Sequence, residues 1–398
     1  MVDQNTPWRN RIATCGFALI IATLASERVD AESGPLAPKR LLVYYGYPSA
    51  INGAPSTALA AAQFANYDHV VLGDGLQDGP GDPSPHPDHA STMAILAHPA
   101  ANATKFYGYV DLGVTTQNLS ITEIRRRVNE WDAMGVTGVL LDDFGYDFGV
   151  SRARQNDAVN YVHSRGLVVI ANGFFVDDVF GRQVNINNPT GAATLLNAND
   201  YYLYESHQYI EGSFQPEQVW LDKADALRQY QEVIGFGIFS ITTNSLGNSF
   251  DPSGFHYSWF SAAMYGHDAT GWGEYLFSAS GISNSMAMFR MRPDVDIGTA
   301  FLGEKLSIGS AHGQRTDRGV IIVDADDYEA AFLNYGDANG DGHVRLNDLP
   351  TLKRCLLGPT QPATPPNCTP RHFAVVDADA DDDVDLHDWW AYQNSFTG

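Results

Sequence analysis

Met134-Gly135-Val136-Thr137-Gly138-Val139-Leu140-Leu141-Asp142-Asp143-Phe144 is the stretch on which the fold turns. Its apolar centre shows no alternation of apolar and polar residues, so it reads as a strand covered on both faces, which a parallel sheet between helices requires. Immediately upstream, Ser120 and Glu123 make a capping box. Ile124, Val128, Trp131 and Met134 then recur at helical spacing until Gly135 stops the helix. Downstream, a helix containing Ala158, Val159 and Val162 ends at Gly166, and 167–171 is again a short apolar run. Working outward, 41–45, 69–72 and 106–110 read as earlier strands, and 201–204, 233–241 and 273–277 as later ones. Trp220, Ala224, Leu227 and Tyr230 mark a helical face among the later ones. Eight strands alternating with helices predict a closed (β/α)8 TIM barrel rather than an open doubly wound sheet. No G-x-G-x-x-G follows the first strand and no G-x-x-x-x-G-K-[ST] occurs, so nucleotide cofactors lack support.

The rest of the chain bounds the setting. At 398 residues, 44% apolar and 18% charged, it can bury a large core, which excludes disorder as the main state. A formal charge of −23 repels a phosphate backbone, excludes general nucleic-acid binding and favours cations, Ca2+ among them. Arg9 and Arg11 precede an apolar run over 12–25 that is shorter than the ~20 residues of a membrane span, and Val29-Asp30-Ala31 follows. Residues 1–31 therefore read as a cleaved signal peptide, which makes the protein secreted or surface-associated, with no membrane span. Cys355 and Cys368, near each other in sequence, are either bridged or free and buried. The expected domains are the signal over 1–31, the barrel over 38–325 and a small calcium-binding tail over 330–398.

In a parallel barrel, reactive side chains stand where strands end. Those positions hold Tyr44 and Tyr45 after strand one, Asp74 after two, Asp111 after three, Asp142 and Asp143 after four, and Asn172 after five. Glu205 and His207 follow strand six, and Trp272 and Glu274 surround strand eight. Carboxylates, aromatics and an amide, without a cysteine, a lysine or a serine elbow, suit sugar chemistry. Rings stack on pyranoses, and two carboxyls flank the scissile bond. Asp142 is the candidate nucleophile or base, and Glu205, set among tyrosines, the candidate acid. Asp143 fits either a helix cap or a sugar contact. His207 fits a supporting hydrogen-bonding role better than that of a base. No H-E-x-x-H or His-x-His pair points to a catalytic metal. The rival reading is a non-catalytic carbohydrate-binding or scaffold-attached protein.

The segments 106–113 and 134–143, Val169-Ile170-Ala171-Asn172-Gly173 and Tyr204-Glu205-Ser206 resemble the barrel of glycoside hydrolase family 114, which includes endo-α-1,4-polygalactosaminidases. The resemblance, over about residues 40–300, implies a catalytic aspartate after strand four and a glutamate after strand six, here Asp142 and Glu205, and a polysaccharide substrate that contains amino sugars. No proline follows Asn172, and strand three ends in Asp111 rather than glycine-glutamate, departures that bear on substrate identity. The D-x-x-D-x-D-x-E run of chitinase-like barrels is absent, which disfavours substrate-assisted chemistry.

Near the C-terminus, Asp337, Asn339, Asp341 and Asp348 occupy positions one, three, five and twelve of a calcium loop. Gly342 stands at six, His343 at seven, offering its backbone carbonyl, and Val344 at eight. Forty residues later Asp377, Asp379, Asp381, Asp383 and Asp388 repeat the spacing, with Asp382 where the glycine belongs. A left-handed aspartate there costs energy and predicts weaker binding. With a helix after the first loop, the pair resembles type I dockerin repeats, which implies structural Ca2+, a small α-helical EF-hand domain and a cohesin-type scaffold partner. The plain alternative is two solvated acidic turns.

Overall fold

The computed structural model describes residues 36–245, 249–279, 286–358, 365–379 and 381–397. The expected signal peptide lies outside them. Eight parallel strands close into a barrel: β1 (Lys39–Tyr44), β2 (His69–Leu72), β3 (Lys105–Asp111), β4 (Gly138–Asp142), β5 (Val168–Ala171) and β6 (Tyr201–Glu205), then β9 (Gly237–Ile241) and β10 (Ala269–Gly271). A two-stranded hairpin, β7 (Tyr209–Ile210) and β8 (Ser213–Phe214), interrupts the alternation after β6. The crossovers include α1 (Thr57–Phe64), α2 (His89–Leu96), α3 (Ile121–Ala133), α4 (Arg152–Ser164), α5 (Val176–Phe180), α6 (Glu217–Ile234) and α7 (Pro252–Met264). The fold is a TIM barrel.

Strand alternation sorts the side chains. Leu41, Val43, Tyr107, Leu140, Ile170, Leu203 and Phe239 fill the lumen. Leu42, Tyr44, Val110, Val139, Leu141 and Tyr202 pack outward in the helix layer. The α3 stripe behaves as its spacing predicts: Ser120 accepts from Glu123 N, and Ile124, Val128 and Trp131 are buried. The Trp131 ring lies where a Cβ on Gly108 would come within 2.1 Å of it, so only glycine lets this helix sit so close to β3.

Two expectations change. The eighth strand is Ala269–Gly271, not 273–277, because Tyr275–Ser278 forms a 3-10 turn with Leu276 and Phe277 at positive φ. The span 38–325 also holds more than a barrel. After β10 the chain builds an antiparallel sheet of β11 (Phe301–Ile308), β12 (Ala311–Thr316), β13 (Gly319–Asp324) and β14 (Glu329–Asn334). One face of this sheet, with Ile321 and Val323, packs on Tyr257, Phe260 and Met264 of α7. The other, with Val320, Ile322 and Leu333, packs on Ala374 and Val375 of α9 (Pro370–Val376). With α8 (Leu349–Cys355) and α10 (Leu386–Asn394), α9 shares a small core of Val344, Leu352, Phe373, Val384 and Tyr392, clipped by a Cys355–Cys368 disulfide.

Candidate active site at the barrel mouth

The inward register of the strands brings Tyr45, Tyr109, Asp111, Asp142, Asn172 and Glu205 to the C-terminal ends of neighbouring strands, with Asp111 opposite Asp142 in the ladder. A cavity of about 430 Å³ opens there, with Asp142, Asp143, Asn172, Glu205, Phe174 and Lys223 in its wall. Its centre is one amide. Asn172 Nδ2 donates to Asp142 Oδ1 at 2.8 Å and to Glu205 Oε2 at 2.9 Å. Because the two bonds share a nitrogen, the accepting oxygens can be no farther apart than the two bond lengths laid end to end. That keeps them closer than the separation of about 6.5 Å at which inverting glycosidases begin.

The electrostatics follow from burial without a paired cation. Burial, then the Asp143 and Glu205 charges, push Asp142 up to about 7, although the Tyr109 hydroxyl hydrogen-bonds it and opposes the shift. Burial raises Asp143 to about 6. Thr116 opposes that shift, and Asp111, which shares a hydrogen bond with Asp143, adds to it. Asp143 sits at φ 51 and caps no helix: α4 takes Ser151 as its N-cap. The left-handed turn instead aims its carboxyl at Asp111, which is buried and accepts from Thr116 Oγ1 at 2.9 Å. Tyr45 stands at the lumen's top against Tyr109 and Phe277, its hydroxyl pushed well above the usual range by burial and then by Asp142 and Glu205.

The remaining positions read from the sequence lie elsewhere. Tyr44 points outward, edge-on to Phe64 at 5.4 Å, because alternation sends it opposite to Tyr45. Asp74 is taken up at the rim by Arg127 and Gln117, both at 2.7 Å. His207 is buried between Tyr204 and His267 outside the lumen, because Ser206 at φ 60 breaks the alternation. Trp272 packs with Tyr209 and Phe255, and Glu274 pairs with Arg290 at 2.6 Å, since β10 ends before either could face the mouth. Conversely, Tyr109, Phe174 and Lys223 belong to the mouth and were not expected there. Lys223 lies on α6, three residues after buried Trp220 and four before buried Leu227. A lysine on an apolar helix stripe was the available signal.

In the C-terminal loops, Gly342 has φ 83 and Asp382 φ 66, so the residue standing where the glycine belongs adopts the costly conformation expected of it. Val344 and Val384 at position eight are buried. Asp337 accepts from the backbone of Gly340, Asp341 and Gly342, and Asn339 Oδ1 accepts from Asp341 N. At position twelve, Asp348 ties Asn339 N to Arg345 N, and Asp388 ties Ala378 N to Asp385 N. Ligand oxygens of Asp377, Asp379 and Asp388 lie within 4.8 Å of one another. Asp377 contacts buried Arg315 of β12 through Oδ2, while its Oδ1 is buried without a hydrogen-bond partner. A buried carboxylate with one orphaned oxygen, in a group of three, suits a hard divalent cation.

No family model matches the chain, and no curated protein matches it. Similar solved structures include the β-N-acetylhexosaminidase of Bacteroides fragilis, 8% identical over 60% of this chain and 61% of that one, TM-score 0.37. Others are the 3-dehydroquinate dehydratase of Geobacillus kaustophilus, at 11%, 59%, 82% and 0.36, and the carboxyl transferase domain of Rhizobium etli pyruvate carboxylase, at 14%, 62%, 41% and 0.36. The chain spans 23% of one pyruvate carboxylase chain and 41% of another, less than half of either. Among the described residues, no helix is long and apolar enough to cross a membrane.

Proposed function

We propose that the barrel is a glycoside hydrolase of the family 114 type, which cleaves O-glycosidic bonds of a polysaccharide containing amino sugars. The observation that carries this reading is the Asn172 amide joining two carboxyls across an open cavity. Their separation suits retention through a glycosyl-enzyme ester. The sequence reading gave Asp142, after strand four, the nucleophile or base role and Glu205, among tyrosines, that of acid; the electrostatics of the mouth favour the exchange. Asp142 keeps its proton up to about pH 7, as a donor to the leaving oxygen must, while Lys223 attracts the Glu205 charge. Glu205 then attacks the anomeric carbon as the glycosidic bond breaks, and the Asp142 proton passes to the departing oxygen. In the second half, ionised Asp142 takes a proton from water, the water oxygen bonds the anomeric carbon, and the Glu205 ester opens. Asn172 orients both carboxyls throughout, and the Tyr109 hydroxyl holds Asp142 in line.

The C-terminal module fits a dockerin-like, calcium-ordered attachment domain with a cohesin-type partner on a secreted enzyme. Asp337, Asn339, Asp341, the His343 carbonyl and Asp348 would hold one ion. Asp377, Asp379, Asp381, the Asp383 carbonyl and Asp388 would hold a second. The ion would order the loops and take no part in hydrolysis.

The test is a polysaccharide panel that includes a partly deacetylated galactosamine polymer, with the product anomer read by NMR. Retention is expected. Glu205→Gln and Asp142→Asn should each slow reducing-end release by about 10³-fold or more, as loss of a nucleophile or a general acid does. Wild-type rates in either variant sink the assignment. Azide should revive Glu205→Ala with formation of a glycosyl azide of inverted anomeric configuration. If Asp142→Ala behaves so instead, the roles return to those read from the sequence. Binding without hydrolysis by the wild type would favour the carbohydrate-binding rival.

A further inference from the structure

The cavity has two unlike halves. Around Asn172 it is a cluster of carboxyls. Across from them, the wall made by α6, the β7 strand and the loop after β5 carries one charge, Lys223, among apolar side chains. The ammonium of Lys223 sits 4.6 Å from the ring centre of Tyr204, 5.6 Å from that of Tyr202 and 5.6 Å from that of Phe174. Among the described residues it takes part in no ion pair and no hydrogen bond; the rings, and the Glu205 charge farther off, stabilise the cation. Burial pulls its pKa down to about 8, so it is still charged at neutral pH, held in a poorly solvated place. Around it Phe174, Val219 and Ile210 are 68%, 54% and 37% exposed in the same wall, an apolar surface left open to solvent next to an ammonium that no side-chain or backbone acceptor bonds.

That pairing specifies a ligand group. It must present an acceptor oxygen to the ammonium and an apolar carbon to Phe174, Val219 and Ile210. A free sugar amine, protonated at neutral pH, offers the ammonium no acceptor oxygen and the wall no methyl. A plain hydroxyl satisfies the donor but leaves the apolar wall wet. An acylamino group satisfies both, with its carbonyl on the ammonium and its methyl on the wall. We infer that Lys223, Phe174, Val219 and Ile210 form a subsite beside the catalytic pair that selects an N-acylated amino sugar over its free amine. The inference rests on the glycoside hydrolase reading for its setting, but not on the assignment of Asp142 and Glu205.

The experiment uses the full chain and three probes: α-1,4-linked galactosamine tetramers, fully N-acetylated and fully deacetylated, and an α-1,4-linked galacturonate tetramer. Binding is measured by calorimetry at pH 6.5, and reducing-end release is followed separately. The acetylated tetramer should bind at least about tenfold more tightly than the deacetylated one, the scale of one satisfied against one unsatisfied buried charge. Lys223→Met should bring the two within about twofold, while Lys223→Arg keeps the preference; thermal melting of both variants checks that they fold. Preference for the free amine, tighter binding of the galacturonate, an unchanged preference in Lys223→Met, or no binding of any probe would each overturn the inference. Selective binding without release leaves the subsite standing and removes the hydrolase reading. Release without selectivity does the reverse.

Discussion

One cluster of acids is gathered on α3 at the surface and another at the barrel mouth, and their chemistry differs because of the group at the centre of each. On α3, Arg126 gathers Asp78, Asp82, Glu123 and Glu130, with contacts of 2.5 to 3.0 Å. The hydrogen bonds from Arg126, and from Arg127, hold Glu123 down at about 2. At the barrel mouth, Asp142, Asp143 and Glu205 have a neutral amide in the corresponding place, and Asp142 rises to about 7. A guanidinium fixes charge, whereas an amide fixes position and leaves the proton free to move. The first arrangement staples a surface, and the second can do acid chemistry.

Ways to break that contrast run from large effects to small. Asn172→Ala removes the shared donor and should lower hydrolysis about 10²-fold with little change in fold, measured as kcat/KM beside a melting curve. Arg126→Met leaves four acids without their partner. It should cost about 1–2 kcal/mol of stability by urea unfolding, discounted for partial exposure, and leave activity unchanged. Titration should show opposite signs at Asp142 and Glu123. For Asp142 the folded value, about 7, lies above the ordinary 3.8, so the native state holds a proton the unfolded chain releases, and its contribution to stability declines as pH rises from about 4 to 7. Asp142→Asn should therefore gain roughly 1–2 kcal/mol at pH 8 and nothing at pH 4, and wild-type turnover should fall above pH 7. For Glu123 the folded value, about 2, lies below 4.5, so its contribution is present above pH 4.5 and is lost as pH falls to 2. Glu123→Gln should cost about 0.5 kcal/mol at pH 7 and nothing at pH 2. The smallest effect belongs to the acids of the C-terminal loops. Asp382→Gly relieves a left-handed aspartate and should tighten calcium binding at the second loop about two- to fivefold in a calcium titration.

Much of the mouth was legible because strand ends and alternation are sequence properties. Asp111, Asp142, Asn172 and Glu205 stand where the apolar runs of β3 to β6 stop, and all four reach the site. Tyr44 was misplaced for want of the same rule, since adjacent residues of a strand cannot both face inward. Lys223 carries no strand-end signal, because it comes from the middle of α6. Trp272 and Glu274 lie off the mouth because the eighth strand already ends at Gly271. The sheet over Phe301–Asn334 went unseen because β12, Ala311–Thr316, buries His312, Gln314 and Arg315, polar residues that give no alternating apolar signal.

By itself the sequence determined the barrel, through apolar runs spaced by amphipathic helices, and the two C-terminal acidic loops, through a spacing of carboxylates that needs no long-range contact. Only the tertiary structure decided that one amide would bridge Asp142 and Glu205, that Asp143 would turn toward Asp111, and that a helix lysine would face Glu205 across a cavity. Those are distances between residues far apart in the chain, and closure of the sheet sets them, because each strand fixes its neighbour's register while local pattern fixes only its own.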